Sequence, residues 1–353
     1  MARYKVKERE RALERGMKFL YQLACDPQNF DDYGAEFLYL LKTIASTSKD
    51  DKLRKMAGQM ARERFRQYKP RLKSLPRNAD ADTVMAYFHT ASTVQMFGVR
   101  NSKLKQQLRQ AAKRFTPTDC LWFDPYAEPP PSDVPHDCSC GISNERGRKS
   151  CRNRRCKAEL AIMTRYETWY YSLTRAYCAE NYGIILGAPY ADIIRWLPVL
   201  RPYPIRKKKT ELEFADTVYA LSHLVYTLND YGRYQLSPRW LPQEYEFLRD
   251  NLGEAIALDD PDMMGEFLDS LMGLGLTDNH PQIRKGMSFL LEKQNEDGSW
   301  GDVEAEDLYA RYHPTWAAID GLREYAWRGE GLKFPRLLPL LKDWARNGDA
   351  DWS

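Results

Sequence analysis

Apolar residues recur along this chain at the three-to-four-residue spacing of helices, broken by short clusters of Pro, Gly, Asn and Asp. The strict alternation of a half-buried strand is scarce. Charged amphipathic stretches fall at 7–24, 50–68, 101–114, 243–257, 282–293 and 334–346. Between them come stretches poorer in Lys and Glu, at 33–47, 80–97, 165–181, 213–231, 262–274 and 312–327. A helix apolar on nearly all sides belongs inside a fold and an amphipathic one outside. The alternation therefore predicts an all-α protein: an (α/α)6 toroid of inner and outer helices, one domain over residues 1–353. An open solenoid of the same helix pairs is the alternative.

Two internal echoes favour the closed ring. ADADTVMAYFH at 79–89 and EFADTVYALSH at 213–223 share Ala-Asp-Thr-Val and a histidine seven places after the aspartate. RGMKFL at 15–20 and KGMSFL at 285–290 link the two ends of the chain. One stretch stands apart. Residues 116–157 hold a Pro-Pro-Pro run, many turn residues and five cysteines, four of them between 138 and 156, and read as a long inserted loop.

Composition narrows the setting. The net charge of +4 comes from 53 Lys and Arg against 49 Asp and Glu, so charge alone implies no polyanion and no nucleic-acid partner is expected. Locally, RGRKSCRNRRCK and the run at 205–209 are basic. The charged start lacks the apolar core of a signal peptide, and no window approaches the roughly 18 apolar residues of a membrane span. Seven cysteines, an odd number, argue for a reducing compartment and a cytoplasmic location. Oligomeric state is not readable.

QNEDGSWGD at 294–302 resembles the Gln-x-x-x-Gly-x-Trp repeat of squalene-hopene and oxidosqualene cyclases. ARYHPTWAAIDGL at 310–322 follows it as an inner helix does there, and is also similar to the Tyr-His-Thr region of protein farnesyltransferase β subunits. The likeness to this terpenoid cyclase and protein prenyltransferase superfamily is specific over about 262–325. It implies an α/α toroid with a central cavity, an isoprenoid or other largely apolar small-molecule substrate, and His313 and Asp262 as metal ligands. The chain departs from the pattern twice. Ala81 and Ala215 stand where a cyclase's protonating aspartate would be, so the usual acid is missing. Met264 stands where a prenyltransferase zinc cysteine would be, and a thioether is a poor zinc ligand.

The inner stretches carry a polar constellation of their own. Residues seven apart lie on one helix face, separated by about 10 Å. Asp82 with His89, Asp216 with His223, Asp262 with Asp269, and His313 with Asp320 all have that spacing. Glu167 occupies the place matching Asp216, and Glu266 stands one turn after Asp262. Helix capping would account for Asp82, Asp216 and Asp262 singly, but not for His89, His223 and Asp269, two turns in. Three accounts stay open: a divalent ion, zinc or iron, in the central cavity; a metal-free acid/base cavity; and a structural polar network. The expected catalytic set is His223, Asp216, His89, Asp82, Glu167 and Asp269. The expected ligand set is His89, His223, His313, Asp262, Asp216 and Glu266. Aromatics crowd the same stretches, among them Phe88, Tyr166, Trp169, Tyr170, Tyr226 and Trp316.

In the loop, Cys138, Cys140, Cys151 and Cys156, with His136 beside them, have the density of metal ligands. One tetrahedral zinc would staple a segment too long to order itself. An iron–sulfur cluster, a redox-active thiol pair, or a phosphate site on the flanking arginines are the alternatives. Function then divides three ways. The first is a metal-dependent cyclase- or prenyltransferase-like enzyme, the second a non-haem metal oxidoreductase using the His and Asp residues. The third is a helical scaffold with a zinc-stapled binding loop.

Overall fold

The computed structural model describes residues 3–68, 74–204 and 211–347; the basic run at 205–209 lies outside them. Among the described residues the chain is all-helical, with isolated bridges and no strand. The helices are α1 (Arg3–Cys25), α2 (Pro27–Thr47), α3 (Asp51–Tyr68), α4 (Ala81–Gln95), α5 (Ser102–Ala112) and α6 (Pro117–Leu121). They continue with α7 (Arg165–Asn181), α8 (Tyr190–Ile194), α9 (Leu197–Leu200), α10 (Glu211–Leu228) and α11 (Pro242–Ala257). The last are α12 (Pro261–Gly273), α13 (Pro281–Lys293), α14 (Leu308–Leu322) and α15 (Leu338–Asn347). No helix is long and apolar enough to cross a membrane.

The starts follow from local chemistry. Asp26 caps α2, Asn101 caps α5, Thr164 caps α7 and Asp260 caps α12, each accepting a backbone N–H in the first turn. Proline occupies the first turn of α2, α11, α12 and α13, where its missing N–H costs nothing.

The chain falls into two compact units. One comprises Met1–Lys73, Thr90–Arg100 and Val225–Ala350; the other is centred on Ser74–His89 and Asn101–Leu224. In the first unit α1 packs on α2, α13 and α14, and α12 lies along α14. QNEDGSWGD is the clasp between the chain's early and late helices. Gln294 Nε2 donates to Ala12 O and to Gly298 O, each at 2.9 Å, while Arg15 donates to Asn295 O at 2.6 Å. Trp300 is buried, its Nε1 donating to Leu290 O at 2.7 Å. Gly298, at φ +93°, lies so close to Arg15 that a Cβ would meet that residue's backbone at 2.9 Å. Deeper in, Arg323 is 1 % exposed and donates to Asp320, to Thr47 Oγ1 at 2.9 Å and to Ser48 Oγ at 3.2 Å.

In the second unit α7 is the central helix. Trp169 and Tyr166 are core: Trp169 Nε1 donates to Ile193 O at 2.9 Å and the Tyr166 hydroxyl to Leu200 O at 3.1 Å. Phe88 is likewise buried, edge-on to Tyr182. The segment read as a loop over 116–157 differs in detail. It opens with the capped turn of α6 and runs to the Thr164 cap of α7, its return leg pairing at Pro135–Ile162 and Ser150–Glu159.

Candidate metal centres

Among the described residues, two groups of three or more potential ligands bring their donor atoms within 4.8 Å of one another: Cys138, Cys140, Cys151 and Cys156, and Asp262, Glu266 and His313.

The cysteine group is built from two short turns. Cys138-Ser-Cys140 ends in Gly141 at φ +75°, whose N–H donates to Cys138 O at 2.8 Å. Cys151 to Cys156 ends in Lys157 at φ +53°, with Cys156 N–H donating to Asn153 O at 3.0 Å. In both turns the residue after the second cysteine is left-handed, which points backbone N–H groups at sulfur. Asn153 N–H lies 3.4 Å from Cys151 Sγ, and the Ile142 N–H on Cys140 helps lower that thiol to about 7. Cys156 receives the Ala158 N–H, yet the neighbouring Cys138 sulfur pushes it up to about 11.

Cys138 and Cys156 Sγ stand 3.5 Å apart, Cys140 and Cys151 Sγ 3.6 Å. Four sulfurs at about 2.3 Å from one zinc define a tetrahedron with edges of about 3.8 Å, so this group fits a single ion. Ligands of a multi-iron cluster sit on separate irons and stand farther apart. The lobe's own apolar core is tiny, Cys138, Cys151 and Leu160 with Ile142, Ala158 and Ile162 against them. Such a core cannot order the segment by burial alone, and a metal such as zinc would supply the difference.

His136 is not part of this group. Its N–H bonds Ala161 O at 2.9 Å, and its ring turns to α7, with Nε2 3.2 Å from Glu167 Oε2. That contact raises the His136 pKa against the opposing effect of burial. Asp216 lies close by, accepting from Thr164 Oγ1 at 2.8 Å, and burial raises its carboxyl to about 6. The structure thus joins Glu167, Asp216 and His136. His223 stacks on Tyr170 with centroids 4.8 Å apart, its Nδ1 2.7 Å from Tyr219 O.

The second group depends on how closely two helices approach. At Gly265 of α12 a Cβ would meet Ala317 C at 2.4 Å and Ala317 O at 2.5 Å, and Gly321 of α14 lies over Gly265 Cα. With no side chain between them, the backbones touch, and Asp262 and Glu266 on α12 reach His313 on α14. His313 Nδ1 lies 2.9 Å from Asp262 Oδ1. Its Nε2 is 4.0 Å from Glu266 Oε1, too far for a hydrogen bond. Two bonds of about 2.0–2.2 Å to a tetrahedral ion would place these atoms about 3.4 Å apart, so they would close by about 0.6 Å on binding one. Burial disfavours the imidazolium, but Asp262, with Glu266 and Glu36, outweighs it and raises His313 to about 9. Tyr309 stacks on the imidazole with centroids 4.6 Å apart, and Trp316 lies edge-on at 6.1 Å.

The remaining expected residues stand outside both groups. Asp82 is exposed and pairs with Arg175 at 2.8 Å, which gives it a surface ion pair in place of a cavity role. His89 is half-buried. Asp269 is buried, and burial with Asp320 nearby pushes it up to about 8. Met264 is turned toward α13, its Sδ 2.7 Å from where a Cβ on Gly286 would stand. Capping does not account for the aspartates: Asp80 and Asp260 accept from the first-turn N–H groups of α4 and α12, and Asp216 lies inside α10. Sequence reasoning passed over Thr164, Arg175 and Tyr309, whose parts follow from packing. A cleft of about 420 Å³ beside Arg9, Glu14, Lys49, Lys52 and Glu324 shares no residue with either group.

No protein-family model, curated protein or solved structure matches the chain.

Proposed function

We propose that this protein is a metal-dependent enzyme of the α/α-toroid kind, working at Asp262, Glu266 and His313 on a largely apolar small molecule, with a structural ion in the cysteine lobe. The observation that carries the reading is the disposition of His313. Asp262 engages Nδ1, so Nε2 is the ring nitrogen left facing Glu266, across 4.0 Å, with its proton the one an ion would displace. A carboxylate behind a histidine is the arrangement that fixes tautomer and ring plane for a metal on the far nitrogen. One imidazole and carboxylate oxygens suit zinc or another borderline divalent ion. When bound, such an ion supplies Lewis acidity, polarising an oxygen or a leaving group.

The chain's own residues supply the setting. Tyr309 and Trp316 flank the imidazole, with Tyr39 against Trp316 and Tyr231. Rings of this kind accept an apolar substrate and lie well for stabilising developing positive charge. The seating of α1 on α13 and α14 supports the toroid, since a ring needs its first helices against its last. Together with the QNEDGSWGD clasp, this favours cyclase- or prenyltransferase-like chemistry. The oxidoreductase reading drew on three histidines, and the group holds one.

Metal analysis of the purified chain tests the proposal. Two ions per chain are expected, and His313→Ala and Glu266→Ala should each remove one while the cysteine-bound ion stays. Equal metal content in wild type and both variants would reduce Asp262–His313 to a buried ion pair.

A further inference from the structure

From Arg146 to Lys157 the chain carries seven cations and no acid. Without them the net charge of +4 becomes −3, so the near balance of the whole chain conceals one strongly basic segment. Arg146 is spoken for by Glu128 and Asp133. The others, Arg148, Lys149, Arg152, Arg154, Arg155 and Lys157, are exposed, and among the described residues none forms an ion pair. Cys151 and Cys156 bring both ends of one turn to the four-sulfur group, so Arg152, Arg154 and Arg155 lie within that turn and Arg148, Lys149 and Lys157 flank it.

We propose that the cysteine lobe is a docking surface for the phosphate backbone of double-stranded nucleic acid. Six unpaired cations clustered on exposed turns match a row of phosphates, each arginine able to take one bidentately. A single small anion would call for an enclosed site, and these side chains stand in solvent. Residues 128–165 contain no Phe, Tyr or Trp, so the base stacking that single-strand binders use is lacking. No large exposed apolar side chain lies between Tyr126 and Tyr171 either, so the lobe has nothing to insert into a bilayer. What remains is contact with a continuous backbone, which positions a duplex without reading its sequence.

The test is fluorescence anisotropy of the full, metal-loaded chain with a labelled DNA duplex of about 20 base pairs, titrated at several salt concentrations. Binding of backbone type has a Kd of about 1–100 µM near physiological salt, and engaging all six cations gives a log–log salt slope near −5. Gln at Arg152, Arg154 and Arg155 together should make that slope shallower by about 2.7. Gln at Arg148 and Lys149, outside the Cys151–Cys156 turn, should do so by about 1.8, and decides the matter if the triple variant loses its metal. An unchanged slope in the variants would overturn the proposal. So would duplex failing to bind while vesicles rich in phosphatidylserine, or inorganic pyrophosphate, bind the lobe.

Discussion

Replacing Gly265 with alanine should damage the Asp262–Glu266–His313 group without touching any of its side chains. The new Cβ would stand 2.4 Å from Ala317 C and 2.8 Å from Ala318 N, both backbone atoms of α14 that have no rotamer to escape into. Ordinary contact begins near 3.4 Å, so α12 and α14 must part by about 1 Å. That shift lengthens the 2.9 Å Asp262–His313 hydrogen bond beyond its useful range and widens the 4.0 Å gap to Glu266. Overpacking of this kind costs about 1–3 kcal/mol, offset by the roughly 0.5–1 kcal/mol that alanine gains over glycine in a helix. The net loss should be about 1–2 kcal/mol in urea unfolding followed by circular dichroism, with weaker metal retention at the group. Gly253, in α11 with nothing within 4 Å of an added methyl, supplies the contrast. There alanine should stabilise by about 0.5–1 kcal/mol. A Gly265→Ala protein as stable as wild type, with its metal held equally well, would refute the account of the helix crossing.

Two further outcomes follow from the other sites. Cys151→Ser should lose about one metal per chain and open the 133–163 segment to limited proteolysis while the helical signal persists, because the lobe has little apolar core of its own; unchanged metal content would show that the cysteines are not ligands. Asp216 has its carboxyl raised to about 6 by burial, so it favours folding when protonated. Its contribution is fully present below the unfolded value near 3.8 and is lost as pH rises through 6, by up to about 3 kcal/mol. Asp216→Asn should therefore gain on wild type between pH 4 and 6.5 in matched urea unfolding, and a constant difference across that range would contradict the buried setting.

Helices were legible where periodicity and punctuation agreed. The stretch at 165–181 ends as its residues say it should, with Thr164 capping it and Gly183 at φ +80° just beyond. Where a signal pointed elsewhere, the reading slipped. The stretch read as 312–327 starts and ends earlier: α14 begins at Leu308 behind an Asp307 cap, carries Pro314 inside and ends at Leu322. Helices α8 and α9 are too short for a period to show, and are tied down by the hydrogen bonds of Trp169 and Tyr166. The site divided in the same way. Glu266 was found by its one-turn spacing from Asp262, and the cysteines by their density. The places of His136 and Asp82 depend on partners far along the chain, Glu167 and Arg175, which spacing within one helix cannot disclose.

The clasp between α1 and the loop after α13 has a consequence for synthesis. Arg9 bonds Glu324 across 315 positions, and Gln294 holds Ala12 across 282. The apolar faces of α1 and α2 are therefore made long before the surfaces that cover them. At about 5–20 residues per second, the wait is roughly 15–60 s, far longer than a helix needs to form. During that interval Met17, Leu20, Phe37 and Leu41, all at 0 % exposure in the finished protein, remain without α12 to α14. Those early helices are where aggregation would begin if the late ones were truncated.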